Sequence, residues 1–246
     1  MELINIVPIA NMSYIQNQTM GMFLTHLVET YPNYASFARK FNGYKILDNS
    51  LIELKGKAVS LERLFRAGVA IQADEIILPD EFQKGKETYD KAYKYLSQCK
   101  AMERRSEVKF KYMAVCHGRD IEEFEWCFRE LIKLDIDAIG IPKVCATMHP
   151  KGRPYFEHLW LVSQKKAPQI HLLGIWSSFL ELNHYIEPER IRSVDSSLTA
   201  VFAYNHLNPL LDARPDGFQI DLVNHDISCD DYQACIQSLE NLGIRT

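Results

Sequence analysis

The chain lacks a run of about 18 apolar residues, the minimum for a membrane-spanning helix. Its first residues, MELINIVPIANMS, carry no basic head, and Asn5 and Pro8 interrupt the apolar stretch, so neither a signal peptide nor a transit peptide is expected. Glycine and proline are sparse, 11 and 10 in 246 residues, which excludes collagen-like and low-complexity chains. Cysteine occurs six times, as Cys99, Cys116, Cys127, Cys145, Cys229 and Cys235, and never as CxxC. No histidine follows Cys229 and Cys235, which argues against a paired-cysteine zinc site. With no export signal, the thiols are expected to be reduced in a cytoplasmic setting. Positive charge is not in excess: 28 Lys and Arg against 32 Asp and Glu leave a formal net charge of −4. That excludes a polybasic coat but not an enzyme with one local basic patch. GxGxxG and GxxxxGK[ST] are both absent, so dinucleotide or nucleoside-triphosphate binding has no support.

What is present is an alternation of short apolar runs and longer helix-like stretches. The runs are residues 3–9, 44–48, 75–80, 111–116, 137–142, 170–175, 191–196 and 217–221. Each has strand length and near-continuous apolarity, the mark of a strand covered on both faces. Between them, Ser60 precedes a helical pattern as an N-cap, and 121–134 carries a stripe of Phe124, Cys127, Phe128, Leu131 and Ile132. Helical patterns also cover 86–100, 179–183 and 229–242, and tight turns are expected after Gly140, Gly174 and Gly217. Eight strands alternating with helices predict an α/β chain folded as a (β/α)8 TIM barrel, one domain over 1–246, with a doubly wound sheet as the rival.

Three acids stand at run ends: Asp48 in Ile-Leu-Asp-Asn-Ser, Asp80 in Ile-Leu-Pro-Asp-Glu, and Asp195 in Arg-Ser-Val-Asp-Ser-Ser. A parallel barrel gathers all strand carboxyl ends on one rim, so the three could share a pocket. Crowded carboxylates raise one another's proton affinity, which supplies an acid or base, and an aspartate can attack a sugar C1′. Each Asp taken alone reads first as a turn former or helix cap, and for Asp195, among Ser193, Ser196 and Ser197, capping of the next helix competes with a site role.

The segments LDNS (47–50), ADEIILPDE (73–81), AVCHG (114–118), DAIGIP (137–142), HLLGI (171–175) and SVDSSLTAVFA (193–203) resemble, in order, the tRNA-guanine transglycosylase superfamily. Within it the short chain is most similar to the phage DpdA branch, which inserts 7-deazaguanines into DNA. The resemblance implies a (β/α)8 barrel and exchange of guanine for a 7-deazaguanine with the sugar-phosphate chain intact. It implies Asp195 as nucleophile and Asp48 as general acid/base. It gives Asp80 the guanine edge, with Asn49, Ser50, Gly140, Ile141 and Gly174 beside the base. It implies no metal, ATP or redox cofactor. The partners it implies are DNA with a flipped or single-stranded guanine and a free base such as 7-cyano-7-deazaguanine, with no membrane; a homodimer or accessory protein stays open. The compartment would be the host cytoplasm.

The pattern departs from the family in three places. A VQGG-like motif is replaced by Val115-Cys116-His117-Gly118, so either Cys116 or His117 substitutes for a base-reading Gln or that contact is lost. Asn49 and Ser50 stand where the tRNA enzymes have Ser and Gly. Their CxCxxC…His zinc subdomain has no counterpart, which favours an acceptor other than tRNA. A tRNA-acting enzyme and a non-catalytic nucleic-acid-binding partner remain the alternatives. For backbone contacts there are two basic stretches, 100–111 with net charge +3 and 143–166 with +4. The second holds Lys143, Lys151, Arg153, Lys165 and Lys166, with Tyr155 and Trp160 available for stacking. His171 reads as structural.

Overall fold

The computed structural model describes residues 1–57, 59–106, 108–162, 168–175 and 177–245. Eight strands form one sheet: β1 (Glu2–Asn5), β2 (Met20–Leu24), β3 (Tyr44–Asp48), β4 (Glu75–Ile77), β5 (Lys111–Val115), β6 (Ala138–Pro142), β7 (Gln169–Leu173) and β8 (Ile191–Ser196). Every ladder is parallel, in the order β1-β8-β7-β6-β5-β4-β3-β2, and β1 lies against β2 at the seam. The helices are α1 (Thr25–Thr30), α2 (Pro32–Lys40), α3 (Leu61–Ile71), α4 (Gly85–Ser106), α5 (Ile121–Leu131), α6 (Glu157–Leu161), α7 (Leu198–Tyr204) and α8 (Cys229–Asn241). The chain is a nearly closed (β/α)8 barrel. Among the described residues, no helix is long and apolar enough to cross a membrane.

Three expected elements need correction. The run 217–221 is not a strand. Gly217 sits at φ +67°, and the Asp221 carboxylate accepts from the amides of Val223 and Asn224, so side-chain bonds close a turn there. The strand that completes the set of eight is β2, Met20–Leu24, a Met-Gly-Met-Phe-Leu run with no β-branched residue to announce it. The first strand ends at Asn5, because Pro8 starts a 3-10 segment over Ile9–Ile15. Nor does the chain turn after Gly140, which lies within β6. A Cβ there would fall 2.6 Å from Leu173 Cδ1, so the glycine makes room for β7.

The capping signals are realised in the fold. Ser60 Oγ accepts from Arg63 N at α3, and the Asp120 carboxylate accepts from Glu123 N at α5. The α5 stripe of Phe124, Cys127, Phe128 and Leu131 is buried against the sheet.

Two apolar layers result. Ile4, Met20, Met22, Ile46, Ile77, Met113, Val115 and Ala138 fill the barrel, and a larger layer joins strands to helices. Methionine suits the inner layer because its unbranched chain fills irregular gaps. At the strand amino ends the barrel is closed by polar groups: the fully enclosed Glu75 accepts from Arg192 at 2.7 and 2.9 Å and from Tyr44 Oη at 2.7 Å. The strand carboxyl ends form the opposite rim, where barrel chemistry is built.

Candidate active site

Asp195 lies near the end of β8 and is not a helix cap; Ser197 occupies that position at α7, and Ser196 Oγ takes the Leu198 amide. Its Oδ1 accepts from the Gly174 amide at 3.0 Å and lies 3.1 Å from His171 Nε2. The Gly174 amide reaches it because the chain turns at φ +69° immediately after β7. His171 is fully buried in β7, and its Nδ1 lies 2.8 Å from Ser193 Oγ. One carboxylate oxygen is therefore held twice, and Oδ2 takes neither bond.

Asp80 and His117 meet on the adjacent arc of the rim. His117 Nε2 lies 2.6 Å from Asp80 Oδ2, and Asn49 Nδ2 donates to Asp80 Oδ1 at 2.9 Å. Because His117 Nδ1 accepts from the Gln83 amide, Nε2 is the donor toward Asp80. Each Asp80 oxygen keeps a second lone pair for a ligand. Asn49 also donates to the Leu78 carbonyl, so the Asn fixes the loop after β4 to the loop after β3.

Asp48 ends β3 and closes a turn, its Oδ1 accepting from Ser50 N at 2.5 Å. The turn-former reading thus accounts for one of its oxygens. Loss of hydration pushes the Asp48 proton affinity well above the ordinary carboxylate range; Glu53, Asp195 and Asp80 add to this through like charge, against the Ser50 amide. Glu53, on the loop after β3, is raised for the same first reason and by the Asp195 charge, with its own amide and Lys143 opposing. Glu53 keeps an exposed surface, so its loss of hydration is partial. Lys143 follows β6, half-buried, and its stem passes close to Gly174, where a Cβ would lie 2.9 Å from Lys143 Cδ. Dehydration lowers the Lys143 ammonium, while Asp195 and Glu53 hold it up and Arg214 and Arg153 oppose them. Ser50 supports the loop at φ +59°, its Oγ accepting from the His26 amide.

Several expected contacts fall elsewhere. Cys116 points away from the mouth; its thiol donates to the Phe124 carbonyl in the layer beneath α5, and burial pushes it well up. The Ile141 carbonyl is taken by Arg153 Nη1 at 3.0 Å. Arg153 is fully buried rather than facing a phosphate backbone; its Nε pairs with Glu181 at 2.7 Å, and Nη1 also reaches the Leu173 carbonyl. Trp160 is a buried residue of α6 and offers no face to a base. The basic stretch 100–111 runs from the end of α4 into the start of β5, the barrel end opposite the carboxylates. Lys151 is exposed on a groove of about 540 Å³ with Tyr155, His158 and His184, and a cleft of about 490 Å³ lies at the amino ends of β2 and β3. Neither is lined by the four acids. Lys165 and Lys166 lie outside the described residues.

His171, Ser193 and Glu53 are the members that sequence reasoning missed. The signal for His171 is period two: Gln169, His171 and Leu173 share one face of β7, and Leu173 packs on the inner layer. Among the described residues, no group of three His, Cys, Asp or Glu side chains is near enough to hold a metal ion. The assembly offers an oriented carboxylate, a second carboxyl with raised proton affinity, and an amine, which suit covalent glycosyl chemistry.

The fold and site define a (β/α)8 barrel with an acid-lined carboxyl-end mouth. Compared with known proteins, the chain matches no family model, and curated sequences show no significant similarity to it.

Proposed function

We propose that this protein is a DNA-guanine transglycosylase that exchanges guanine for a 7-deazaguanine through a covalent Asp195–C1′ ester. The observation that carries the reading is the unequal pair at the rim: Asp195 held through Oδ1 by Gly174 and His171, and Asp48 closing its turn through Oδ1 with its proton affinity raised by burial and neighbouring carboxylates. Asp195 Oδ2 attacks C1′ as the C1′–N9 bond breaks, and the leaving guanine takes the Asp48 proton on N9. The incoming base returns its N9 proton to Asp48, N9 attacks C1′, and the ester bond breaks to free Asp195. Two inversions retain the sugar configuration, as in retaining glycosidases. Asp80 accepts from N1–H and the exocyclic amine with the lone pairs that His117 and Asn49 leave. Guanine and its 7-deaza relatives share that edge, so one pocket serves both.

The target base must leave a duplex stack or come from a single strand. Lys143 in the mouth, with exposed Lys55, Lys57, Lys84 and Lys151 on the loops after β3, β4 and β6, supplies the backbone contacts. The test is base exchange: protein, isotope-labelled 7-deazaguanine bases, and either guanine-containing DNA or tRNA, followed by nucleoside mass spectrometry. Label in DNA supports the reading. Label in tRNA alone assigns the tRNA reaction instead, and label in neither removes the activity.

A further inference from the structure

A hydrogen-bonded column runs through the barrel from its floor to Asp195. Glu75 takes both arms of Arg192 at 2.7 and 2.9 Å and the Tyr44 hydroxyl at 2.7 Å. Arg192 Nε donates to Ser193 Oγ at 3.3 Å. Ser193 Oγ lies 2.8 Å from His171 Nδ1, and His171 Nε2 lies 3.1 Å from Asp195 Oδ1. A guanidinium only donates, and a carboxylate only accepts. Ser193, receiving the Arg192 proton, gives its own to the nearest acceptor, Nδ1. With Nδ1 accepting, the ring proton sits on Nε2 and faces Asp195. The ends fix Arg192 as donor and Asp195 as acceptor, and a neutral imidazole between them then has Nδ1 as its acceptor.

We propose that the Glu75–Arg192 pair and Ser193 form a tautomer lock on His171, and that His171 is the positioning residue that turns Asp195 Oδ1 into the wall and Oδ2 toward the substrate. The lock stands on geometry alone. Its catalytic consequence rests on the proposed transglycosylase reading. A histidine in the wrong tautomer presents a lone pair to Asp195 and repels the oxygen it should hold. In a comparable carboxylate–histidine arrangement, the serine-protease triad, the wrong tautomer costs ~10⁴ in rate.

The lock is tested without substrate. Long-range ¹H–¹⁵N correlation spectra of the imidazole rings, with the His171 signals identified by their loss in His171→Gln, distinguish a protonated nitrogen from an accepting one. The wild type should show an accepting Nδ1 and a protonated Nε2, and Ser193→Ala should move both shifts toward each other as the tautomers mix. A protonated Nδ1 in the wild type, or unchanged shifts in Ser193→Ala, overturns the lock whether or not the protein exchanges bases. The positioning role is then read in exchange kinetics. His171→Leu should lower kcat by ~10²–10³ with KM for the free base within about threefold. His171→Gln, whose amide can accept from Ser193 and donate to Asp195, should recover at least about tenfold of that. A change confined to KM, or no recovery by a normally folded Gln variant, makes His171 a space filler. Absence of exchange in the wild type refutes the functional reading, while the nitrogen shifts still decide the lock.

Discussion

Replacing Asp48 with Asn should stabilise the fold while ending the chemistry. Asp48 faces the charges of Glu53, Asp195 and Asp80 with little hydration, so its folded form holds a proton more tightly than the unfolded chain does. The unfolded chain releases that proton near the ordinary value of 3.8. Above this pH the folded state binds more protons than the unfolded state, so stability falls as pH rises, until the raised folded value is passed. Asn keeps the oxygen that accepts from Ser50 N and removes the charge. Neutralising a strained site of this kind is worth about 1–2 kcal/mol. In a domain of this size that is about 2–8 °C in melting temperature. Urea unfolding of wild type and Asp48→Asn across pH 4–8 reads it. The variant should be the more stable at pH 7–8, and the gap should close toward pH 4. A gap that is absent at neutral pH, or that widens on acidification, would refute the electrostatic account of the mouth.

Further outcomes follow from other contacts. Arg192→Met strands Glu75 inside the floor and should cost about 3–5 kcal/mol, with much of it recovered in Glu75→Leu/Arg192→Met, as calorimetry of the two variants would show. Arg153→Ala leaves Glu181 and two carbonyls without their partner and should lower the melting temperature by several degrees. Its single-stranded DNA affinity, by anisotropy at a temperature where it stays folded, should match wild type; a loss would return Arg153 to the nucleic-acid surface. Lys143→Ala and Lys151→Ala should each weaken DNA binding and flatten the salt dependence of affinity by roughly 0.7–0.9 in log–log slope, and unchanged slopes would remove them from the interface. Gly140→Ala should cost about 1–3 kcal/mol because Leu173 must move, measured by denaturant unfolding.

Strands 44–48 and 191–196 were legible as sequence because each sets Ile, Leu or Val in a short run ending at an acid or beside one, and buried parallel strands need no strict alternation. Met20–Leu24 was not, since methionine and glycine carry no strand preference, and its identity comes from pairing with β3. Residues 217–221 misled in the other direction: Gly-Phe-Gln-Ile-Asp is strand-like, but Asp221 spends its carboxylate on a local turn. The acids at strand ends were visible because a barrel sends all carboxyl ends to one rim. His171 and Ser193 were hidden, since their meeting depends on the register shift between β7 and β8 at Ile170/His171. Arg153, in a Gly-Arg-Pro segment that reads as exposed, folds inward because two strand-end carbonyls and Glu181 together satisfy a buried guanidinium. Lys143 was visible as a charge but not as a member of the mouth.

The most direct measurement is the mass of the protein after incubation with a guanine-containing single-stranded oligonucleotide and no incoming base, quenched under denaturing conditions. The account predicts an adduct equal to the oligonucleotide less guanine, mapped by peptide sequencing to Asp195 and missing in Asp195→Asn. An adduct mapped to another residue, or none while base exchange proceeds at full rate, would contradict it.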